Sequence, residues 1–250
     1  MNINGKTALV TGGQRRLGRA IALGLARAGA NLVVAHYEED DLAASAVQEA
    51  RAIGVEAESV TINLAERASV EAAAAQALKR FGCIDILVNS SSVYRKAVFP
   101  NPDTSVWEMS LGVILNGPFY LCNALAPAML EKGEGVIINI TDLSIHEAWP
   151  RYTGHCVAKV GLWALTRQLA LELAPKVRAN AIAPGPMIPP VDYDEAKIAR
   201  TAGKTLLGRW GNPQDTVRTV IYICECDYLT GEVITVDGGQ RYGHRKIEEG

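Results

Sequence analysis

Apolar positions along this chain switch period again and again. Short, nearly continuous apolar runs alternate with longer segments whose apolar residues recur every three or four positions. The first kind predicts strands at residues 7–10, 31–37, 56–62, 84–89, 135–141, 177–182 and 233–236. The second predicts helices at residues 17–28, 40–53, 68–81, 104–130, 152–173 and 212–223. Runs such as Val136-Ile137-Ile138 carry no polar alternation, as parallel strands covered on both faces require. Seven strands joined by helical crossovers make an α/β fold, a Rossmann-type doubly wound parallel sheet, expected as a single domain over residues 1–250.

No linker, repeat or low-complexity tract interrupts the alternation. One stretch, residues 184–207, is longer than a connection needs and holds Pro184, Pro186, Pro189 and Pro190, with a short helix expected at 194–202. Loops of that length are usually functional, and this one is expected to be a substrate lid. The charged tail after Gly239 reads as a disordered end or a subunit contact.

Composition narrows the partners. A hydrophobic fraction of 48% supports a large core, and a net charge of −2 provides no basic field, so nucleic acid is not an expected partner. The sequence shows no apolar run near eighteen residues and no charged-then-apolar leader, so a soluble, cytoplasmic protein without membrane contact is expected. Of five cysteines, Cys83, Cys122 and Cys156 fall in apolar-periodic segments and read as thiols of a reducing compartment. Cys224 and Cys226 lack a second ligand pair, and no metal site is expected.

Candidate chemistry gathers in two places. Thr11-Gly12-Gly13-Gln14-Arg15-Arg16-Leu17-Gly18 follows the first strand and opens the first helix, where Gly12 and Gly13 allow a tight turn and the helix N-terminus presents free N–H groups to a phosphate. At the end of the second strand stand His36 and Tyr37 rather than an acidic residue. Arg15, Arg16 and His36 could hold a 2′-phosphate, which favours NADP(H) over NAD(H), while Glu38, Glu39 and Asp40 argue the other way unless they only begin a helix. The second place is the helix carrying His155 and Lys159, four residues apart and so one turn apart on one face. Asp142 follows a β-branched run and is expected at the carboxyl edge of the sheet, where open α/β folds bind ligands.

With these motifs in place the chain resembles the short-chain dehydrogenase/reductase family over nearly its whole length. The resemblance is carried by Thr11–Gly18, Val88-Asn89-Ser90-Ser91, Asp142, the His155-x-x-x-Lys159 helix, Asn180-Ala181-Ile182-Ala183-Pro184-Gly185 and Val236-Asp237-Gly238-Gly239. Within the family it is most similar to the pteridine reductases, through Arg16, His36-Tyr37, Asn89-Ser90-Ser91-Ser92, Pro118-Phe119 and an aspartate at 142. The resemblance implies NADPH-dependent reduction of a small carbonyl or imine, a pterin-like ring in that subgroup, and a homotetramer or homodimer. It implies a cofactor site of Gly12, Gln14, Arg15, Arg16, Leu17, Gly18, His36, Tyr37, Asn63, Leu64, Asn89, Ser90, Ser91, Lys159, Pro184, Gly185 and Met187.

Two positions depart from the family pattern. His155 stands where the family has its tyrosine acid, and Ile114 where it has an asparagine; Asn116, two residues on, sits elsewhere around the helix. Imidazole exchanges protons at neutral pH, so an Asp142, His155 and Lys159 site is chemically open to reduction, although its nitrogen stops short of where a phenol would reach. A repurposed dehydratase, isomerase or lyase, and a catalytically silent nucleotide-binding subunit, remain the other readings. Ser91, Val93, Tyr94, Ser144, Trp149 and Tyr193 are the expected substrate lining, with Val93 where pteridine reductases carry phenylalanine.

Overall fold

The unbroken apolar runs become strands covered on both faces. In the computed structural model, which describes residues 1–245, the strands are β1 (Thr7–Thr11), β2 (Asn31–His36), β3 (Ala57–Thr61), β4 (Ile86–Asn89), β5 (Gly135–Ile140), β6 (Val177–Pro184) and β7 (Val233–Val236). They form one sheet in the order β3-β2-β1-β4-β5-β6-β7, parallel at every pairing. All residues of β1, β4 and β5 are buried. The strand order reverses between β1 and β4, and their carboxyl ends open a crevice there.

The helices are α1 (Arg16–Arg27), α2 (Asp40–Ile53), α3 (Arg67–Phe81), α4 (Ser105–Leu111), α5 (Gly117–Lys132), α6 (Thr153–Leu173), α7 (Glu195–Gly203) and α8 (Pro213–Glu225). One core lies between the sheet and α1, α2 and α8, with Ile21, Ala46 and Val217 buried in it. The second lies between the sheet and α3, α5 and α6, around Val70, Leu121 and Ala170. A capping box starts α8: Asn212 Oδ1 accepts from Gln214 N at 2.9 Å and Asp215 Oδ2 accepts from Asn212 N at 2.9 Å.

The sequence pattern differs from the structure at the long helix expected over 104–130. That segment is divided by a π turn, Gly112–Asn116, into α4 and α5. Pro118 explains the break, because it has no N–H to continue the regular ladder. The stretch Ser105–Lys132 also corrects the membrane argument: it is long and apolar enough to span a bilayer, with mean hydropathy 1.4 over eighteen residues. Here α5 packs on α3 and α4 packs on α6, as core helices do. The last described turn, Gln240–Arg245, is a 3-10 helix, and the rest of the expected charged tail lies outside the described residues.

The helix that carries the Gly-rich turn is seated by its own glycine. A Cβ on Gly24 would lie 2.3 Å from Val217 Cγ1, so α1 and α8 meet closer than alanine allows. Gly24→Ala is therefore expected to destabilise the fold by about 1–3 kcal/mol despite a helix-propensity gain of about 1 kcal/mol. Adding Val217→Ala should make room, so that urea unfolding of the double variant shows less loss than the two single losses together. Simple additivity would mean that the two helices are not in contact there.

Candidate active site

The crevice at the strand reversal is a cleft of ≈ 950 Å³ running from the Gly-rich turn to His155 and Lys159. At the phosphate end the backbone has no room for side chains. Gly12 adopts φ +68, and a Cβ on Gly18 would lie 2.2 Å from Gly12 O. Thr11 Oγ1 ties this turn to the loop after β4, accepting from Ser90 N at 2.9 Å and Ser91 N at 3.1 Å. Buried Gln14 lines the same wall, and its Oε1 meets no hydrogen-bond partner among the described residues. A cradle closed to Cβ atoms and a helix N-terminus fit a dinucleotide's phosphates.

At the other end, β5 delivers Asp142 and α6 delivers His155 and Lys159. His155 is 2% exposed and spans two acceptors: Nδ1 lies 2.9 Å from Val93 O and Nε2 lies 2.6 Å from Asp142 Oδ2. A backbone carbonyl can only accept, so Nδ1 carries a hydrogen. Asp142 is held at about 2: burial pushes its pKa up, but the His155 hydrogen bond, the Lys159 and His155 charges and the Ser144 hydrogen bond outweigh burial. One proton lies in the short contact between Nε2 and Oδ2, and Asp142 is held toward its ionised form. Asp142 Oδ1 is occupied as well, accepting from Ser144 N at 2.9 Å and from Ser144 Oγ.

Lys159 is fully desolvated beneath this pair and donates to Ile140 O at 2.7 Å. Burial pulls its pKa down and Asp142 opposes that pull. Ile114 is completely buried against Ala158 and Leu162, and Asn116 faces solvent. The Trp149 ring lies nearly parallel to the imidazole at 5.9 Å between centroids, and Tyr94 meets it edge-on at 5.2 Å.

The structure places most expected residues on the cleft wall: Gly12, Gln14, Arg15, Arg16, Leu17, Gly18, Tyr37, Asn63, Leu64, Ser90, Ser91, Val93, Tyr94, Asp142, His155, Lys159 and Pro184. Others it places elsewhere. His36 is buried, with Nδ1 donating to Glu38 O at 3.0 Å, so its ring braces the turn. Asn89 points into the core, donating to Asn139 Oδ1 at 2.8 Å. Met187 lines a separate cavity of ≈ 450 Å³ beside α8, and Gly185 sits against Asp237, where a Cβ on the glycine would lie 2.7 Å from Asp237 Cα. Ser144 is bound to Asp142, Trp149 is stacked on the imidazole, and Tyr193 packs on Trp210 with 6.4 Å between centroids.

Sequence reading missed Arg95, Glu108, Met109 and Thr141 on the wall. Arg95 and Thr141 adjoin residues it did single out, and adjacency was a usable signal. Glu108 and Met109 enter only because α4 folds over the opening, which no local pattern shows.

The family model described as "Enoyl-(Acyl carrier protein) reductase" matches residues 12–241. The 3-oxoacyl-[acyl-carrier-protein] reductase FabG of Aquifex aeolicus is 34% identical over 245 residues, which cover 96% of this chain and 98% of that protein. Among solved structures, FolM alternative dihydrofolate reductase 1 from Brucella canis, complexed with NADP, superposes with a TM-score of 0.88 at 33% identity, covering 99% of this chain and 97% of that one. A gluconate 5-dehydrogenase from Burkholderia cenocepacia, in complex with NADP and tartrate, superposes with a TM-score of 0.88 at 30% identity, covering 98% and 97%. On matches that span almost its entire length, the chain belongs to the short-chain dehydrogenase/reductase family.

Proposed function

We propose that this protein is an NADPH-dependent reductase of a small carbonyl or imine compound, with a pterin-like ring as the favoured substrate class. The observation that carries the reading is the continuity of one cleft, with a phosphate cradle at one end and the hydrogen-bonded His155–Asp142 pair beside Lys159 at the other. Solved relatives with NADP bound, one of them an alternative dihydrofolate reductase, support the cofactor and the ring substrate.

A bound reduced nicotinamide would supply the hydride. The residues supply the rest. Lys159, desolvated beside Ile140 and Asp142, places a fixed cation under the reacting end, where a cofactor ribose hydroxyl would meet it. The Asp142 carboxylate lines the cleft and accepts from a donor-rich ring edge. As the double bond is reduced, its oxygen or nitrogen becomes basic and takes the proton that His155 Nε2 and Asp142 Oδ2 share across 2.6 Å. Trp149 and Tyr94 keep bulk water from that proton. Expected roles are thus proton source for His155, substrate contact and relay for Asp142, and cofactor contact for Lys159.

A second reading follows from one specific observation. Both ring nitrogens of His155 are engaged and the ring is 2% exposed, so no imidazole N–H points freely into the cleft. A nucleotide-binding chain that turns over no carbonyl is consistent with that arrangement. The exposed apolar side chains Phe119 of α5 and Val157 and Val160 of α6 support a homotetramer or homodimer assembled over these faces. Residues 184–207 complete the proposal as a substrate lid: Arg16 Nη2 already reaches across the cleft mouth to Ile188 O at 3.1 Å.

NADPH oxidation in a carbonyl, quinone and pterin screen distinguishes the two readings. His155→Ala should lower kcat by about 10²–10⁴-fold while NADPH binding persists; full activity in that variant would remove His155 from the reaction, and a silent wild type would favour the second reading. Sedimentation of the purified chain should give a tetramer or dimer, and a monomer would sink the assembly proposal.

Acid stability tests the charge state of the pair. Asp142 falls from 3.8 to about 2 on folding, so its contribution is complete above the unfolded value and is lost as pH falls through the folded one. That amounts to about 2 kcal/mol. Denaturant unfolding should lose this much between pH 5 and 2, and Asp142→Asn should flatten that limb; an unchanged slope would mean the carboxylate is not ionised in the fold.

A further inference from the structure

Of the three groups expected to hold a 2′-phosphate, only one is placed for it. His36 is buried under its turn, and Arg16 is directed at the carbonyls of Ile188 and Pro189. Arg15 remains, and it is already engaged: Nη1 donates to Glu39 Oε1 at 2.8 Å. Gln14 Nε2 donates to the other oxygen, Glu39 Oε2, at 3.2 Å. One carboxylate therefore holds both polar side chains of the Gly-rich turn that face the adenosine end of the cleft.

The backbone is bent to bring it there. Glu38 and Glu39 occupy the left-handed region in succession, at φ 58 and φ 59, which side chains other than glycine rarely adopt. The buried His36 ring fixes the bend from below through Glu38 O. Helix α2 does not need Glu39 as its anion, because Asp40 and Asp41 already occupy its first turn. Gln14 is 4% exposed, so the side chain that meets Glu39 is held in place.

We propose that Glu39 is a specificity-determining residue: an internal anion seated on Arg15 that an adenosine 2′-phosphate must displace, and that sets the choice between NADPH and NADH. The inference rests on the reading of the cleft as a dinucleotide site and goes beyond it. A phosphate and the carboxylate compete for the same guanidinium and repel each other if both stay. A ribose diol meets no such conflict. The native chain thus holds NADPH below the affinity that Arg15 alone would confer, and Glu39 narrows its preference over NADH.

Fluorescence or calorimetric titration tests this without turnover. The wild type, Glu39→Gln, Arg15→Ala and the double variant are titrated with NADPH, NADH, 2′,5′-ADP and 5′-ADP. Removing one like charge at about 5 Å should tighten NADPH and 2′,5′-ADP on the order of tenfold in Glu39→Gln, with NADH and 5′-ADP changing less than about twofold. In the Arg15→Ala background the gain should vanish. Equal tightening of all four nucleotides, or a gain that survives without Arg15, would overturn the proposal as a general charge effect. Failure of the wild type to bind either dinucleotide would instead strike the cofactor reading, at a step that involves no variant.

Discussion

A buried ring with two nitrogens and two oxygen partners organises one end of the cleft. His155 meets Val93 O through Nδ1 and Asp142 Oδ2 through Nε2, with one hydrogen in each contact. That requirement links three separate parts of the chain. The loop after β4 must bring its carbonyl to the ring, β5 must end with its aspartate turned inward, and α6 must begin where the ring can reach both. Breaking either hydrogen bond would leave a buried donor or charge unpaired, which costs more than the bond itself contributes.

The hydrocarbon near this site is as definite as its polar groups: Ile114 is completely buried against Ala158 and Leu162. Burial of Lys159 and ionisation of Asp142 support one another, since each opposite charge offsets part of the other's desolvation.

The cofactor end divides its charges in a comparable way. Four acidic residues, Glu38 to Asp41, follow β2, yet they act differently: Asp40 and Asp41 begin α2 together, while Glu39 turns back onto Arg15. Arg15 and Arg16 are neighbours in sequence but face opposite ways, one toward Glu39 and one toward the Ile188 carbonyl. Arg16 itself sits at φ 49, so the backbone between them is what parts the two guanidinium groups.

How much of this was legible before folding depends on the range of the interactions involved. The strands and most helices follow from local periodicity, and the Gly-rich turn from glycine's freedom beside a helix start, so their positions could be read along the chain. His155 and Lys159 share a face because a helix repeats every 3.6 residues, which is also a local fact. The π turn escaped notice because Pro118 acts through a missing N–H in a segment whose apolar pattern otherwise continues. Sequence alone determined the architecture and the family. Only the tertiary structure decided that His155 is shared between Val93 and Asp142, that His36 and Asn89 face inward, and that Glu39 covers Arg15. Those outcomes depend on which acceptor a side chain meets, for His155 across 13 and 62 residues of sequence, and hydrogen-bond partners at that separation leave no periodic trace.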